Sequence, residues 1–179
     1  HGFSFPIAYF EQHNLSKNWY AFLDDFTFHW PTANRAVTVD DVRKSRVGLG
    51  QLRMGNSRWR RLTEQKAGSA KSVFHFDVQG SVAKSTHSGI TWINQIRHQK
   101  KTAVHFWPFD GWIPSKEKSV ILEAYPTLYR TDVIAPPDLT SDQRDAYLIC
   151  AWLKTQELSL NNKTIRRVNV DTVKIQYKP

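Results

Sequence analysis

The sequence predicts an α/β fold, with helices packed on a mixed sheet, and three observations lead there. Strand-like and helix-like segments alternate from residue 72 onward. Two short runs, 102–107 and 119–124, each stop at or near a proline, Pro108 and Pro126, and are apolar enough to be strands interior to a sheet. Thr140 and Gln143 have the spacing of a capping box, which starts a helix running to about Lys154.

The elements follow in order. Residues 7–14 and 19–30 read as amphipathic helices, the second closed by Pro31. Thr38-Val39-Asp40-Asp41 caps a helix through Arg46, before the glycines at 48, 50 and 55 break it. Residues 55–72 are polar and basic and read as a loop. The aromatic and β-branched content of 72–78 predicts a short strand, ended by the turn Gln79-Gly80-Ser81. Residues 85–98 form the next helix, with Ile90, Ile93 and Ile96 along one side. The tail 161–179 alternates around Val168, Val170, Val173 and Ile175, the pattern of an edge strand.

At 179 residues, 40% hydrophobic and 13% aromatic, the chain has the composition of a packed globule, and its length suits one domain over 1–179. No run approaches the roughly 20 apolar residues of a membrane span, so no membrane partner is expected. The single Cys150 lies in an apolar helical stretch and reads as a buried thiol in a reducing, cytoplasmic protein. Structural zinc and a Gly-x-Ser-x-Gly hydrolase elbow both lack their spacing.

The formal charge of +9 is concentrated. Between Arg43 and Phe109 stand 13 basic residues against Glu64 and Asp77, which is +11 and leaves −2 for the rest of the chain. Such a block suits a polyanion, because each Lys or Arg placed at a phosphate releases condensed counterions. Arg58, Arg60, Arg61, Lys71, Lys84, Arg97, Lys100 and Lys101 are the candidate nucleic-acid contacts. Trp59 and Trp92, interleaved among the cations, offer stacking faces. A solvated basic face and core aromatics would have the same composition. The stretch 79–89 is a Gly- and hydroxyl-rich turn that offers backbone N–H groups and Lys84 to a phosphate, without Walker spacing.

Two acids stand out by position. Glu123 ends the apolar run Val120-Ile121-Leu122, at the rim where open α/β sheets bind ligands. Asp142, Asp145, Ile149 and Trp152 fall on one face of the last helix. Carboxylates facing a sheet are costly unless paired or bound to a cation, so Glu123, Asp145 and Asp142 are candidate ligands for Mg²⁺ or Mn²⁺. The alternatives are a helix-dipole role for the two aspartates and a salt bridge from Glu123 to Arg130 or Arg144.

Several segments together also carry a resemblance. Arg61-Leu62-Thr63-Glu64, Lys71-Ser72-Val73-Phe74, Gln79-Gly80-Ser81-Val82, Gly89-Ile90 with Trp92-Ile93 and Ile96-Arg97, His105-Phe106-Trp107-Pro108-Phe109-Asp110, Leu122-Glu123-Ala124-Tyr125-Pro126 and Asp142-Gln143-Arg144-Asp145-Ala146 resemble, in order and spacing, a bacterial and phage family of unknown function with a ribonuclease H-like fold. The resemblance covers nearly the whole chain. It implies a ribonuclease H-like mixed sheet, incomplete at the N-terminus, with the first strand expected before His1. It also implies metal-dependent phosphodiester hydrolysis, with Glu123 and Asp145 as the acids that carry over to this chain and serve as catalytic residues. Where the family has an acid just before Phe-Ser-Phe-Pro, this chain has His1 and Gly2. The expected function is therefore nuclease-like action on DNA or RNA with Mg²⁺ or Mn²⁺. The alternatives are a nucleic-acid-binding or regulatory module that keeps the fold, and a small-molecule phosphate enzyme. A homodimer, or association with an N-terminal segment, is the further partner expectation.

Overall fold

Aromatic residues dominate the interior because the sequence places them at helical spacing beside a buried N-terminal segment. The computed structural model describes residues 2–161, apart from 69, 101, 116 and 130–132, and not the side chains of 156–161. The chain divides into two compact units, 1–123 and 124–179.

In the first unit, α1 (Ile7–Gln12) follows Pro6 and buries Tyr9 and Phe10. Helix α2 (Trp19–His29) starts where the Asn18 side chain accepts the Ala21 N–H at 3.0 Å. Its Trp19, Phe22, Leu23 and Phe26 recur at i, i+3, i+4 and i+7 and are all buried. Helix α3 (Val39–Arg43) has the predicted Thr38 cap, completed as a box by Asp41. It ends before Arg46, with Lys44 as C-cap and Ser45 at φ 56°. A 3₁₀ turn (Gly50–Arg53) packs on α2 and α3. Gly50 is required there, since a Cβ would run into a Val42 methyl and the Trp30 ring. Helix α4 (Leu62–Lys66) lies inside the segment expected to be loop, and α5 (Ala83–Gln99) packs on α2.

Strands β1 (Val104–Trp107) and β2 (Ser119–Leu122) pair in parallel, with Val104 opposite Ser119 and Trp107 opposite Leu122. The fold is thus mixed α/β, with a small two-stranded parallel sheet among the described residues. The strand expected at 72–78 is instead a run of turns. The Ser72 hydroxyl donates to the Trp59 carbonyl at 2.5 Å and accepts the Phe74 N–H at 3.2 Å, so a side chain satisfies backbone groups that a ladder would have taken. Val73 and Phe74 are still buried, but against rings and not in a sheet.

The Phe5 ring is the hub of the core, with edge contacts to Tyr9, Phe22, Phe26 and Phe74 at centroid distances of 4.7 to 5.2 Å. His87 of α5 is fully buried among Phe5, Phe26, Trp30, Phe74 and Phe76. One ring nitrogen, Nδ1, meets the Ala83 carbonyl at 2.9 Å, and Nε2 has no partner among the described residues. Burial drives its pKa from 6.5 to about 3, leaving it a neutral core residue and not a base. His105 is likewise buried in β1, with Nε2 3.0 Å from the Gly111 carbonyl. Trp19 stacks on Phe109 at 3.9 Å and donates its indole N–H to the Phe3 carbonyl at 2.7 Å.

In the second unit, a 3₁₀ turn (Pro126–Tyr129) precedes α6 (Ser141–Asn161). The predicted box opens α6: Thr140 N–H reaches Gln143 Oε1 at 3.0 Å, and Gln143 N–H reaches Thr140 Oγ1 at 3.3 Å. Trp152 stacks on Tyr129 at 4.2 Å. Cys150 is exposed, contrary to the buried thiol expected from its apolar neighbours, while Leu148 is the buried residue of that turn. The edge strand expected in the tail lies outside the described residues. No helix among the described residues is long and apolar enough to cross a membrane.

Candidate functional site

The apolar run 120–122 becomes β2, which delivers Glu123 to the carboxyl end of a parallel strand. Its carboxylate is engaged there. Arg61, the residue that opens α4, donates Nη1 to Glu123 Oε2 at 2.8 Å and Nη2 to Oε1 at 2.7 Å. This is the bidentate geometry that a guanidinium makes best. Phe3 adds its backbone N–H to Oε2 at 2.9 Å, and the neighbouring Gly2 N–H binds the Thr86 hydroxyl at 2.9 Å.

Arg61 is shared with a second acid. Its Nε reaches Glu64 Oε1 at 3.0 Å, and its own backbone N–H reaches Oε2 at 2.8 Å. The spacing of Arg61 and Glu64, one turn apart, makes this local pairing possible. Both side chains are almost fully buried, at 6% and 5% exposure, while Glu123 remains 33% exposed. Burial opposes the charge on Arg61, but the carboxylates of Glu123 and Glu64 outweigh it and hold its pKa above the ordinary value. Burial raises the pKa of Glu64, against the pull of Arg61. Gly2 presses on this cluster, since a Cβ there would lie 2.9 Å from Arg61 Nη1.

As placed, each Glu123 carboxylate oxygen accepts a guanidinium N–H, and the positive charge of Arg61 opposes a second cation at the same carboxylate. No group of three metal-capable side chains gathers among the described residues. Asp142 and Asp145 belong to the second unit: Asp142 is exposed in the first turn of α6, and Asp145 is half-buried. Within the first unit, the residues brought to Glu123 are Arg61 and Phe3, with Glu64 sharing the Arg61 guanidinium.

Most of the candidate nucleic-acid contacts also have protein partners. Arg60 donates to the carbonyls of Glu64, Gly68 and Ala70 at 2.7 to 2.9 Å and so holds its own loop closed. Lys71 binds the Gln79 carbonyl, and Lys84 binds Asp40 at 2.5 Å. Arg97 pairs with Asp24 at 3.1 Å and lies over the Tyr20 ring. Arg58 and Lys100 are exposed, with no side-chain partner among the described residues, and Lys101 lies outside them. Trp59 is half-buried and edge-on to Phe74, whereas Trp92 is 36% exposed.

The sequence puts Arg61 among the candidate phosphate contacts and Glu123 among the candidate metal ligands, with a salt bridge to Arg130 or Arg144 as the alternative for Glu123. The one available signal was the Arg-x-x-Glu spacing. The other pairing joins residues 62 apart in the chain and leaves no local trace. In comparisons with known proteins, no family model, no curated protein and no solved structure matches this chain.

Proposed function

We propose that this chain is a nucleic-acid-binding module on a ribonuclease H-like scaffold, one in which the acid at the strand end serves structure and not catalysis. The observation that carries the reading is the bidentate hold of buried Arg61 on Glu123. It satisfies in place the carboxylate that the resemblance would assign to a metal. The first unit also keeps cations to spare. Its Asp24, Asp25, Asp40, Asp41, Asp77, Glu64 and Glu123 are taken by internal pairs, which leaves Glu11, Asp110 and Glu117 as the acids with no ion pair among the described residues. Arg35, Lys44, Arg58, Lys66 and Lys100 form no ion pair among the described residues. A surplus of unpaired surface cations is what phosphate contact requires. A cytoplasmic site of action accords with this role.

The test is binding of labelled single- and double-stranded DNA and RNA across a salt series, followed by incubation with Mg²⁺ or Mn²⁺. The expected result is an affinity that falls linearly on logarithmic axes, with no cleavage. A second reading, metal-dependent phosphodiester hydrolysis, is favoured by the position of Glu123 at the carboxyl end of a parallel strand. Cleavage that Glu123→Gln abolishes would establish it and overturn the first.

A further inference from the structure

A groove of about 400 Å³ opens between the segment 32–40 and the first half of α5. Lys84, Ser88 and Trp92 recur every four residues and form one wall, joined by Ser85. Asn34 and Arg35 line the opposite side. The floor is closed by Thr32, whose hydroxyl is satisfied by Thr91 at 3.0 Å and by the His87 carbonyl at 3.2 Å.

The charged hydrogen-bonding groups left over are donors. Arg35 is exposed and has no partner among the described residues. Lys84 spends one ammonium proton on Asp40 and keeps two. Asn34 uses its carbonyl on the Ala36 N–H at 3.0 Å and keeps its NH₂. The acid in the groove, Asp40, is already shared by Lys84 at 2.5 Å and Arg43 at 3.2 Å. The groove therefore favours an anion on its two cations, Arg35 and Lys84, and a flat apolar group on the exposed Trp92.

The α-helical rise of 1.5 Å per residue sets Lys84 and Trp92 about 12 Å apart along α5, so the cation and the indole occupy separate parts of the groove. The volume also falls in the range of small-ligand sites. Inorganic phosphate would leave Trp92 unused, and an uncharged aromatic would leave Arg35 and Lys84 unused. We infer that this groove holds one nucleotide of a single-stranded nucleic acid, with its phosphate at Arg35 and Lys84 and its base stacked on Trp92. The inference rests on the nucleic-acid reading above and gives it a location. The same chemistry would accept a free nucleoside monophosphate, which makes that molecule the second probe.

The experiment measures binding of a labelled single-stranded oligonucleotide and of a nucleoside 5′-monophosphate to the full chain, to Trp92→Ala and to Arg35→Ala. Circular dichroism checks that each variant is folded, and exposed Arg35 is the replacement least able to disturb packing. The expected result is a loss of oligonucleotide affinity of about tenfold or more in each variant, with a shallower salt slope in Arg35→Ala. Equal oligonucleotide binding by all three proteins overturns the groove and leaves the nucleic-acid reading standing. Monophosphate binding that both variants lose, with no oligonucleotide binding at all, overturns the nucleic-acid reading and the strand as occupant. Failure of both probes on the unaltered chain overturns both proposals.

Discussion

Arg61 and Glu123 share two parallel hydrogen bonds at 2.7 and 2.8 Å, with the guanidinium almost fully buried and a second carboxylate, that of Glu64, on its third nitrogen. Removing one partner of a buried pair strands the other, which costs about 3–5 kcal/mol. Arg61→Met is therefore expected to lower unfolding free energy by about that much in urea titration. Glu123→Gln should cost less, because that side chain faces solvent in part and its amide can still accept from Phe3. A double-mutant cycle between the two should show coupling of about 1–3 kcal/mol.

Adding Mg²⁺ or Mn²⁺ to the unaltered protein is expected to leave its melting temperature unchanged, since the Arg61 guanidinium already balances the Glu123 charge. A ligand that bound only the folded state would raise that temperature with concentration. A rise that Glu123→Gln removes would show that Arg61 yields the carboxylate to a cation.

His87 predicts an acid-sensitive core. Its folded pKa of about 3 lies below the ordinary 6.5, so between those values the unfolded chain binds a proton that the folded chain refuses. Stability from this residue is complete above pH 6.5 and declines as pH falls toward 3, by at most about 1.4 kcal/mol per pH unit. His87→Leu should flatten that portion of the stability profile, as read by denaturant midpoints from neutral pH downward.

Gly50→Ala should destabilise by about 1–3 kcal/mol, because the new methyl would enter space held by Val42 and the Trp30 ring. Thermal unfolding would report it. Gly68→Ala is the matched comparison for crowding: nothing lies near its added methyl, and its cost comes from φ +68° alone.

Local signals in the sequence were the ones that could be read. Trp19, Phe22, Leu23 and Phe26 reveal α2 because a 3.6-residue period needs no knowledge of what covers it. Thr38 and Thr140 reveal helix starts because a cap is satisfied within four residues. Residues 72–78 misled because aromatic and β-branched side chains suit any apolar interior, and a strand also needs a neighbouring strand, which composition does not report. Arg61 misled for a related reason: a count of cations cannot distinguish a guanidinium sealed against two carboxylates from one facing water. Glu123 stands out in the sequence by its place at a strand end, but its partner lies 62 residues away.

The Oε2 atom of Glu123 receives both the Phe3 amide and an Arg61 nitrogen. One oxygen thus ties together the start of the chain, the turn that opens α4 and the end of β2, segments up to 120 residues apart. Such a shared anchor makes their local openings a joint event. Amide hydrogen exchange at Phe3 and around residue 61 should rise in step when that oxygen is lost, while the interior of α2 keeps its protection.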